Sequence, residues 1–169
     1  VLRRDDLVAE IDAAFAAEAP PRSVCLHGLP GVGKVQLSIY YAQQRRERFR
    51  GVFVINASDA PSIADSYYRI ATLDLQLTLR EPQNRDEGVR AARDWLARHE
   101  EWLVIIHHIP EPTEDQVGLY ALAVPEGSGH VLITSTNDQQ GRVGVRPDHS
   151  IEIKPLSPDA ALAFLLWRA

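Results

Sequence analysis

The sequence predicts a three-layer α/β fold with a five-stranded, mostly parallel sheet. Short apolar runs alternate with segments of helical periodicity, and a glycine-rich turn joins the first run to a long helix. Strands buried on both faces of a parallel sheet are continuously apolar, as residues 52–57 and 102–109 are. Ligands of such folds bind beyond the carboxyl ends of the strands, so the turn at residues 28–34 is the expected site.

The first third of the chain predicts a helix, a strand and a second helix. Residues 5–17 carry apolar side chains at helical spacing, and residues 23–27 form a short apolar run before the glycine-rich turn. The helix expected from Gly33 ends in a basic run at residues 45–50. We interpret this run as a solvated helix terminus, with a partner-binding patch as the alternative.

The rest of the chain continues the alternation of strands and helices. Pro61 begins a helix, but residues 73–79 alternate with period two, so a helix end and a strand compete there. The surface helix expected next, at residues 84–99, contains Trp95, which is expected to anchor packing. The other expected elements are strands at 102–109, 130–136 and 151–153, a helix through Leu119, Leu122 and Ala123, and a last helix begun by Ser157 and Pro158.

The glycine-rich turn has the spacing of a phosphate-binding loop. Residues 28–34 read G-L-P-G-V-G-K, in which glycines let backbone amides approach phosphate and the lysine reaches the β- and γ-phosphates. The following helix directs the positive end of its dipole at the same anion. The full motif continues with Ser or Thr, whose hydroxyl binds Mg²⁺, but this chain has Val35. A phosphate site without its metal ligand is therefore expected.

Length and composition narrow the class of protein. The 169 residues suit one domain, and the hydrophobic fraction of 45% supplies a sizeable core. The formal net charge of −5 argues against nucleic-acid binding. Cys25 lies in an apolar run and is expected to be a buried, unreactive thiol. No apolar run is long enough to span a membrane and no signal peptide is visible, which predicts a cytoplasmic protein. The missing initiator Met suggests an excised piece of a longer chain.

Taken in order, the motifs resemble the nucleotide-binding domain of NB-ARC signal-transduction ATPases, the STAND class that includes the NOD-like immune receptors of plants and fungi. Residues 28–34 look like Walker A, residues 52–58 resemble the family's second strand, and residues 102–109 occupy the Walker B position. Residues 129–135 are similar to the strand that ends in a sensor arginine. Residues 151–157 resemble the exit into the next helical subdomain.

The resemblance implies a P-loop NTPase fold at residues 1–154 and the start of an ARC-type helical subdomain at residues 155–169. It implies an ADP- or ATP-dependent switch or oligomerisation module in innate immune signalling. Its partners would be other domains of the receptor chain and further copies of it, with no nucleic acid and no membrane. The residues expected at the nucleotide are Gly28, Leu29, Pro30, Gly31, Val32, Gly33, Lys34 and Val35 on the phosphate side, Leu2 and Arg4 near the base, and Pro155.

Three departures from the family pattern predict weak or absent hydrolysis. His107 and His108 stand where the family has carboxylates that hold Mg²⁺ and polarise water, Val35 replaces the metal-binding hydroxyl, and Thr136 replaces the sensor arginine. Adjacent strand residues point to opposite faces, so the two histidines are not expected to share a metal ion. We therefore expect no catalytic residue and no metal site. ADP or ATP remains the expected ligand, bound with little or no dependence on Mg²⁺.

Two other functions stay open at this point. In one, the domain keeps only the fold, binds no nucleotide and serves as a protein-interaction scaffold, so that residues 28–34 merely shape a turn. In the other, the domain is a slow ATPase that uses a water-held Mg²⁺. Nucleotide titration separates these functions from the leading one.

Overall fold

The computed structural model describes residues 4–17, 22–108, 122–136, 150–155 and 157. Within them, five strands form a single sheet in which every pairing is parallel. The strands are β1 (Arg22–His27), β2 (Gly51–Asn56), β3 (Trp102–His107), β4 (His130–Ser135) and β5 (Ser150–Glu152). Their order across the sheet is β2-β3-β4-β1-β5. This arrangement confirms the predicted α/β class and the five-stranded parallel sheet.

Helices cover both faces of the sheet. The helices are α1 (Asp5–Ala16), α2 (Lys34–Gln44), α3 (Ala60–Arg69) and α4 (Arg85–Arg98). Apolar side chains of α1 and α2 pack with one face of the strands, and those of α3 and α4 pack with the other. These are the three layers that the alternation of elements predicts. Because every strand runs the same way, the carboxyl ends of β1, β3 and β4 all meet one edge of the sheet.

The starts of α3 and α4 lie where local sequence signals place them. Asp59 caps α3 by accepting a hydrogen bond from the Ser62 amide at 2.7 Å, and Pro61 lies in the first turn. Asn84 caps α4 in the same way, accepting from the Glu87 amide at 3.3 Å. Both helix starts are therefore fixed by residues adjacent in sequence.

The ambiguous leucine-rich segment is neither a helix end alone nor a strand. A π-helical turn, Ile70–Asp74, continues α3, and residues 76–79 have no regular structure. Leu75 and Leu77 are half-buried against the core beside α3 and α4, while Leu73 is 68% exposed. The period-two pattern thus reflects alternate burial of side chains in an irregular segment that pairs with none of the five described strands.

The basic run after α2 is largely exposed to solvent, as expected, and three of its arginines also form ion pairs. Arg45 and Arg48 both bind the carboxylate of Asp12 in α1, at 2.6 and 2.7 Å. Tyr41 donates a hydrogen bond to the same carboxylate at 3.0 Å. Arg50 pairs with Glu101 at 3.1 Å. Arg45 and Arg48 therefore link the end of α2 to α1, and Arg50, just before β2, is linked to Glu101, just before β3.

The structure bears on two expectations drawn from composition, namely that Cys25 is buried and that no segment spans a membrane. Cys25 is 1% exposed, and burial raises the pKa of its thiol to about 12, as expected for an unreactive core residue. Among the described residues, no helix has both the length and the apolar character needed to cross a bilayer.

Several sequence predictions lie outside the described residues. They are the place of Leu2 near the base, most of the helix predicted through Leu119, the helix predicted after Ser157, and the subdomain predicted from residue 155 onward. The strand predicted at 102–109 ends at His107 in the structure, and Ile109 is outside the described part.

Candidate functional site

The glycine-rich turn links β1 directly to α2. Gly31 and Gly33 have φ values of +81° and +92°, in the left-handed region that glycine adopts at little cost. A Cβ atom built on either glycine would meet nothing within 4 Å. Lys34 begins the helix, so the amides of its first turn have no intrahelical acceptor. The turn therefore has open space above Gly31 and Gly33, and backbone amides without a helical partner lie at the N-terminus of α2. Both features suit the binding of an anion.

The first glycine of the turn lies against the chain that leaves β5. Gly28 has φ +143°, and a Cβ atom there would come within 2.5 Å of the Ile153 carbonyl oxygen. The Ile153 amide also donates a hydrogen bond of 2.7 Å to the carbonyl of His27. Only glycine fits this contact without displacing backbone. Sequence reasoning missed Ile153, because no local signal reveals a contact between residues so far apart.

Lys34 is the charged group of the site. Its side chain is 9% exposed, and its ammonium donates to the carbonyls of Gly28 and Leu29, each at 2.8 Å. Burial lowers the pKa of this lysine below its ordinary value. No carboxylate of the described residues pairs with it. The ammonium is thus held at the loop with no carboxylate of the described residues to compensate its charge.

Arg4, predicted to lie near the base, contacts the segment after β5. Its guanidinium donates to the Lys154 carbonyl at 3.0 Å, across 150 residues of sequence. Pro155, also a predicted site residue, follows Lys154 and is exposed. Asp5, next to Arg4, accepts a hydrogen bond from Tyr40 of α2 at 2.8 Å. The structure therefore ties the start of α1, the segment after β5 and α2 together around the turn.

The apolar members of the loop are exposed. Leu29 is 64% exposed, and Pro30 and Gly31 beside it are also exposed, while Val32 is half-buried. Val35, in the first turn of α2, is 36% exposed and presents only methyl groups where a hydroxyl would serve a metal. The next hydroxyl along the helix does not replace it, since Ser38 is buried and donates to the Lys34 carbonyl at 3.0 Å.

The two histidines at the Walker B position do not diverge as predicted. Their rings contact edge to face with centroids 4.3 Å apart. The prediction is wrong because His108 has already left β3 and has φ +58°, so strand alternation no longer applies to it. Burial, with the nearby His108 and Arg69, lowers the pKa of His107 below its ordinary value. His107 is therefore biased toward the neutral imidazole.

The residues present do not fit a tightly held Mg²⁺. His107, Val35 and Thr136 occupy the three positions at which the resemblance implies a carboxylate, a hydroxyl and an arginine. Magnesium prefers oxygen ligands, and imidazole is a poor substitute. In the described part of the chain, no group of three or more His, Cys, Asp or Glu side chains is placed to hold a metal ion. The phosphate portion of a nucleotide fits, whereas its usual metal does not.

Comparisons with known proteins give similarity in structure only. No family model and no curated protein sequence matches the chain. Among solved structures, Cdc6p from Pyrobaculum aerophilum aligns over 98% of this chain with a TM-score of 0.65 and 15% identity. The Orc1 protein of Aeropyrum pernix, solved in complex with DNA, aligns over 97% with a TM-score of 0.58 and 15% identity. AMPPCP-bound DnaA from Aquifex aeolicus aligns over 96% with a TM-score of 0.50 and 13% identity.

The Orc1 complex overturns one prediction. The expectation of no nucleic acid rested on a net charge of −5, yet a protein of the same fold has been solved with DNA bound. The inference was wrong because net charge sums the whole chain, while phosphate contacts depend on local groups.

The similarity to these structures concerns the fold. This chain spans about half the length of the structures that it resembles, namely 49%, 47% and 49% of them. The finer resemblance to NB-ARC domains stays a prediction. The parallel sheet order, the glycine-rich turn between β1 and α2, and the structural neighbours together establish that this chain has a P-loop NTPase fold.

Proposed function

We propose that this chain is a nucleotide-binding switch domain that binds ADP or ATP at residues 28–34 and hydrolyses ATP weakly or not at all. The observation that carries the proposal is Lys34, whose ammonium is buried at the loop, bonded to two backbone carbonyls and paired with no carboxylate of the described residues. An anion bound by the adjacent amides would supply the missing negative charge. AMPPCP-bound DnaA, a protein of similar fold, supports a nucleotide as that anion.

The proposed lack of hydrolysis follows from the side chains at the metal position. Phosphoryl transfer depends on positioned charges, and Val35, His107 and Thr136 supply none of the expected ones. Phosphate binding by backbone amides and Lys34 needs no metal. The chain should therefore bind nucleotide with little dependence on Mg²⁺.

The proposed switch depends on the segment after β5. Gly28 packs closely against the Ile153 carbonyl, and Arg4 binds the Lys154 carbonyl. A change in the conformation of the loop on nucleotide binding would therefore affect the segment after β5. This contact supports a domain that reports nucleotide state to neighbouring parts of its chain, as in STAND receptors. The domain boundary predicted at residue 155 remains part of this proposal.

The test is a calorimetric and thermal-shift titration of the chain with ADP and ATP, each with Mg²⁺ and with a chelator. A ligand at about 100 times its dissociation constant should raise the free energy of unfolding by about 2.7 kcal/mol. We expect this stabilisation with both nucleotides, and we expect it to persist in the chelator. Phosphate release from ATP should stay near the uncatalysed rate.

The Lys34→Ala variant tests whether the nucleotide binds at residues 28–34. It should lose at least about tenfold in affinity, because a charge-assisted contact to phosphate is removed. The matched control is Arg46→Ala, which also removes one positive charge. Arg46 is exposed and forms no ion pair within the described part of the chain. The control should bind like the wild type.

The other outcomes identify the competing functions. No stabilisation at millimolar nucleotide would contradict the proposal and leave a scaffold that binds none. Phosphate release that requires both Mg²⁺ and Lys34 would instead identify a slow ATPase. A parallel titration with duplex DNA extends the test, because fold similarity to the Orc1–DNA complex removes the ground for excluding nucleic acid.

A further inference from the structure

A cavity lies at the amino ends of the strands, opposite the end of the sheet that carries the glycine-rich turn. It encloses about 260 Å³ beside His130, the first residue of β4, and beside Glu100 and Glu101, which directly precede β3. The loop follows the other end of β1, which pairs with β4 in register. A six-residue strand is about 20 Å long, so the two places are separate.

Aromatic rings form the apolar wall of this cavity. The rings of Phe15 and Phe49 lie against the His130 ring, with centroids 4.8 and 5.4 Å from it and near-perpendicular planes. Tyr41 closes the cluster, 5.9 Å from Phe15 and 6.3 Å from Phe49. Phe15 and Tyr41 are buried beneath, whereas Phe49 is half-buried. A ring face at the rim of a cavity attracts a cation or a planar group.

Three charged side chains also line the cavity, and two of them are already paired. Arg48 binds Asp12 at 2.7 Å, although Asp12 also binds Arg45, and Glu101 binds Arg50 at 3.1 Å. Glu100 has no ion pair within the described part of the chain. The cavity thus combines an aromatic wall with one carboxylate that is free to accept.

We propose that this cavity binds the guanidinium group of an arginine side chain presented by a partner protein. A guanidinium matches both features at once, because its planar face stacks on an aromatic ring and its N–H groups pair with a carboxylate. The volume of about 260 Å³ is below that of typical small-molecule pockets, so it suits one inserted side chain rather than a nucleotide. This inference does not depend on nucleotide binding.

The test uses NMR titration of the ¹⁵N-labelled chain with N-acetyl-arginine amide. The neutral control ligand is N-acetyl-citrulline amide, which has nearly the same shape without the charge. We expect arginine to shift the amide signals of residues 48–50 and 128–130, and to bind at least about tenfold more tightly than citrulline. The signals of residues 28–34 should not move.

Matched variants locate the binding to Glu100. Glu100→Gln should weaken arginine binding at least about tenfold, since the charge-assisted hydrogen bond is lost. Glu10→Gln changes an exposed carboxylate on α1 and should bind arginine like the wild type. Equal binding by Glu100→Gln, equal binding of citrulline, or tighter binding of N-acetyl-glutamate amide would each overturn the proposal.

Discussion

Lys34 differs from Arg45, Arg48 and Arg50 in the groups that its charged end contacts. Arg45 and Arg48 share a carboxylate, and Arg50 has another, whereas the partners of the Lys34 ammonium within the described residues are backbone carbonyls alone. A carbonyl satisfies the hydrogen-bonding need of an ammonium but carries no full negative charge. The positive charge at the loop therefore remains available to an anion.

At Val35 and His107, side chains of the right chemistry should restore the use of Mg²⁺. The double variant Val35→Thr, His107→Asp supplies a hydroxyl and a carboxylate oxygen, which Mg²⁺ prefers over methyl groups and imidazole. We expect ADP or ATP to bind at least about tenfold more tightly with Mg²⁺ than with chelator, measured by calorimetry.

The control for that double variant is Val52→Thr, which makes the same exchange at a 38% exposed position on β2. Its nucleotide affinity should be as insensitive to Mg²⁺ as that of the wild type. A double variant that remains insensitive would show that the roles assigned to residues 35 and 107 are wrong.

Alanine substitutions at Gly28 and Gly31 distinguish the cost of an unfavourable φ from the cost of a backbone clash. Gly28→Ala combines a left-handed φ with a backbone clash at Ile153 and should lower the free energy of unfolding by about 3 kcal/mol. Gly31→Ala has the unfavourable φ but open space, so about 1 kcal/mol is expected. Urea denaturation measures both, and equal losses would contradict the packing role of Gly28.

Between elements, Asp12 joins α1 to the end of α2. Burial alone would raise the pKa of this carboxyl, but hydrogen bonds from Arg45 and Tyr41, with the charges of Arg48 and Arg45, outweigh it and lower the pKa below 3.8. A carboxyl whose pKa is lowered by folding stabilises the fold above its unfolded pKa. That stabilisation is lost as the pH falls through the lower, folded value.

Replacing Asp12 should therefore have an effect that depends on pH. Asp12→Asn is expected to lower the free energy of unfolding by about 1–2 kcal/mol at pH 7. The difference from wild type should shrink below the ordinary carboxyl pKa of 3.8, because the wild-type carboxyl is then protonated as well. Asp94→Asn, at an exposed position on α4, is the control and should change little. A gap that stays constant with pH would contradict the ion-pair explanation.

The elements were predicted best where neighbours in sequence decide them. Continuous apolar runs located the buried strands, and Asp59 and Asn84 mark helix starts that their own side chains cap. The period-two pattern at Leu75 and Leu77 suggested a strand as one alternative, but side chains can be buried alternately in a segment that has no strand partner. The link from Asp12 to Arg45 crosses 33 residues, so no window of sequence contains it.

In the whole molecule, the only cysteine lies on an interior strand of the sheet, next to the edge strand β5. Cys25 belongs to β1, which pairs with β4 on one side and β5 on the other. Its thiol should react with a thiol reagent only when the sheet opens, because it is buried and its pKa is raised to about 12. Mass spectrometry should show a labelling rate that tracks global unfolding in urea; fast labelling in native buffer would contradict this.

The candidate site was only partly readable from the sequence. The spacing of residues 28–34 predicted the loop and the position of Lys34, because both follow from local backbone geometry. The contacts with Ile153 and Lys154 were not predicted, since they arise only when β5 pairs beside β1. The orientation of His108 was missed because it depends on where β3 ends.

The contact between Arg4 and Lys154 also has a mechanical consequence. Arg4 lies just before α1 and Lys154 lies just after β5, and one hydrogen bond of 3.0 Å joins the two places. A force that pulls these two places apart would act on that bond and on the 2.7 Å bond from the Ile153 amide to the His27 carbonyl. Because Gly28 packs closely against the Ile153 carbonyl, a displacement of residues 153–154 would be transmitted directly to the glycine-rich turn.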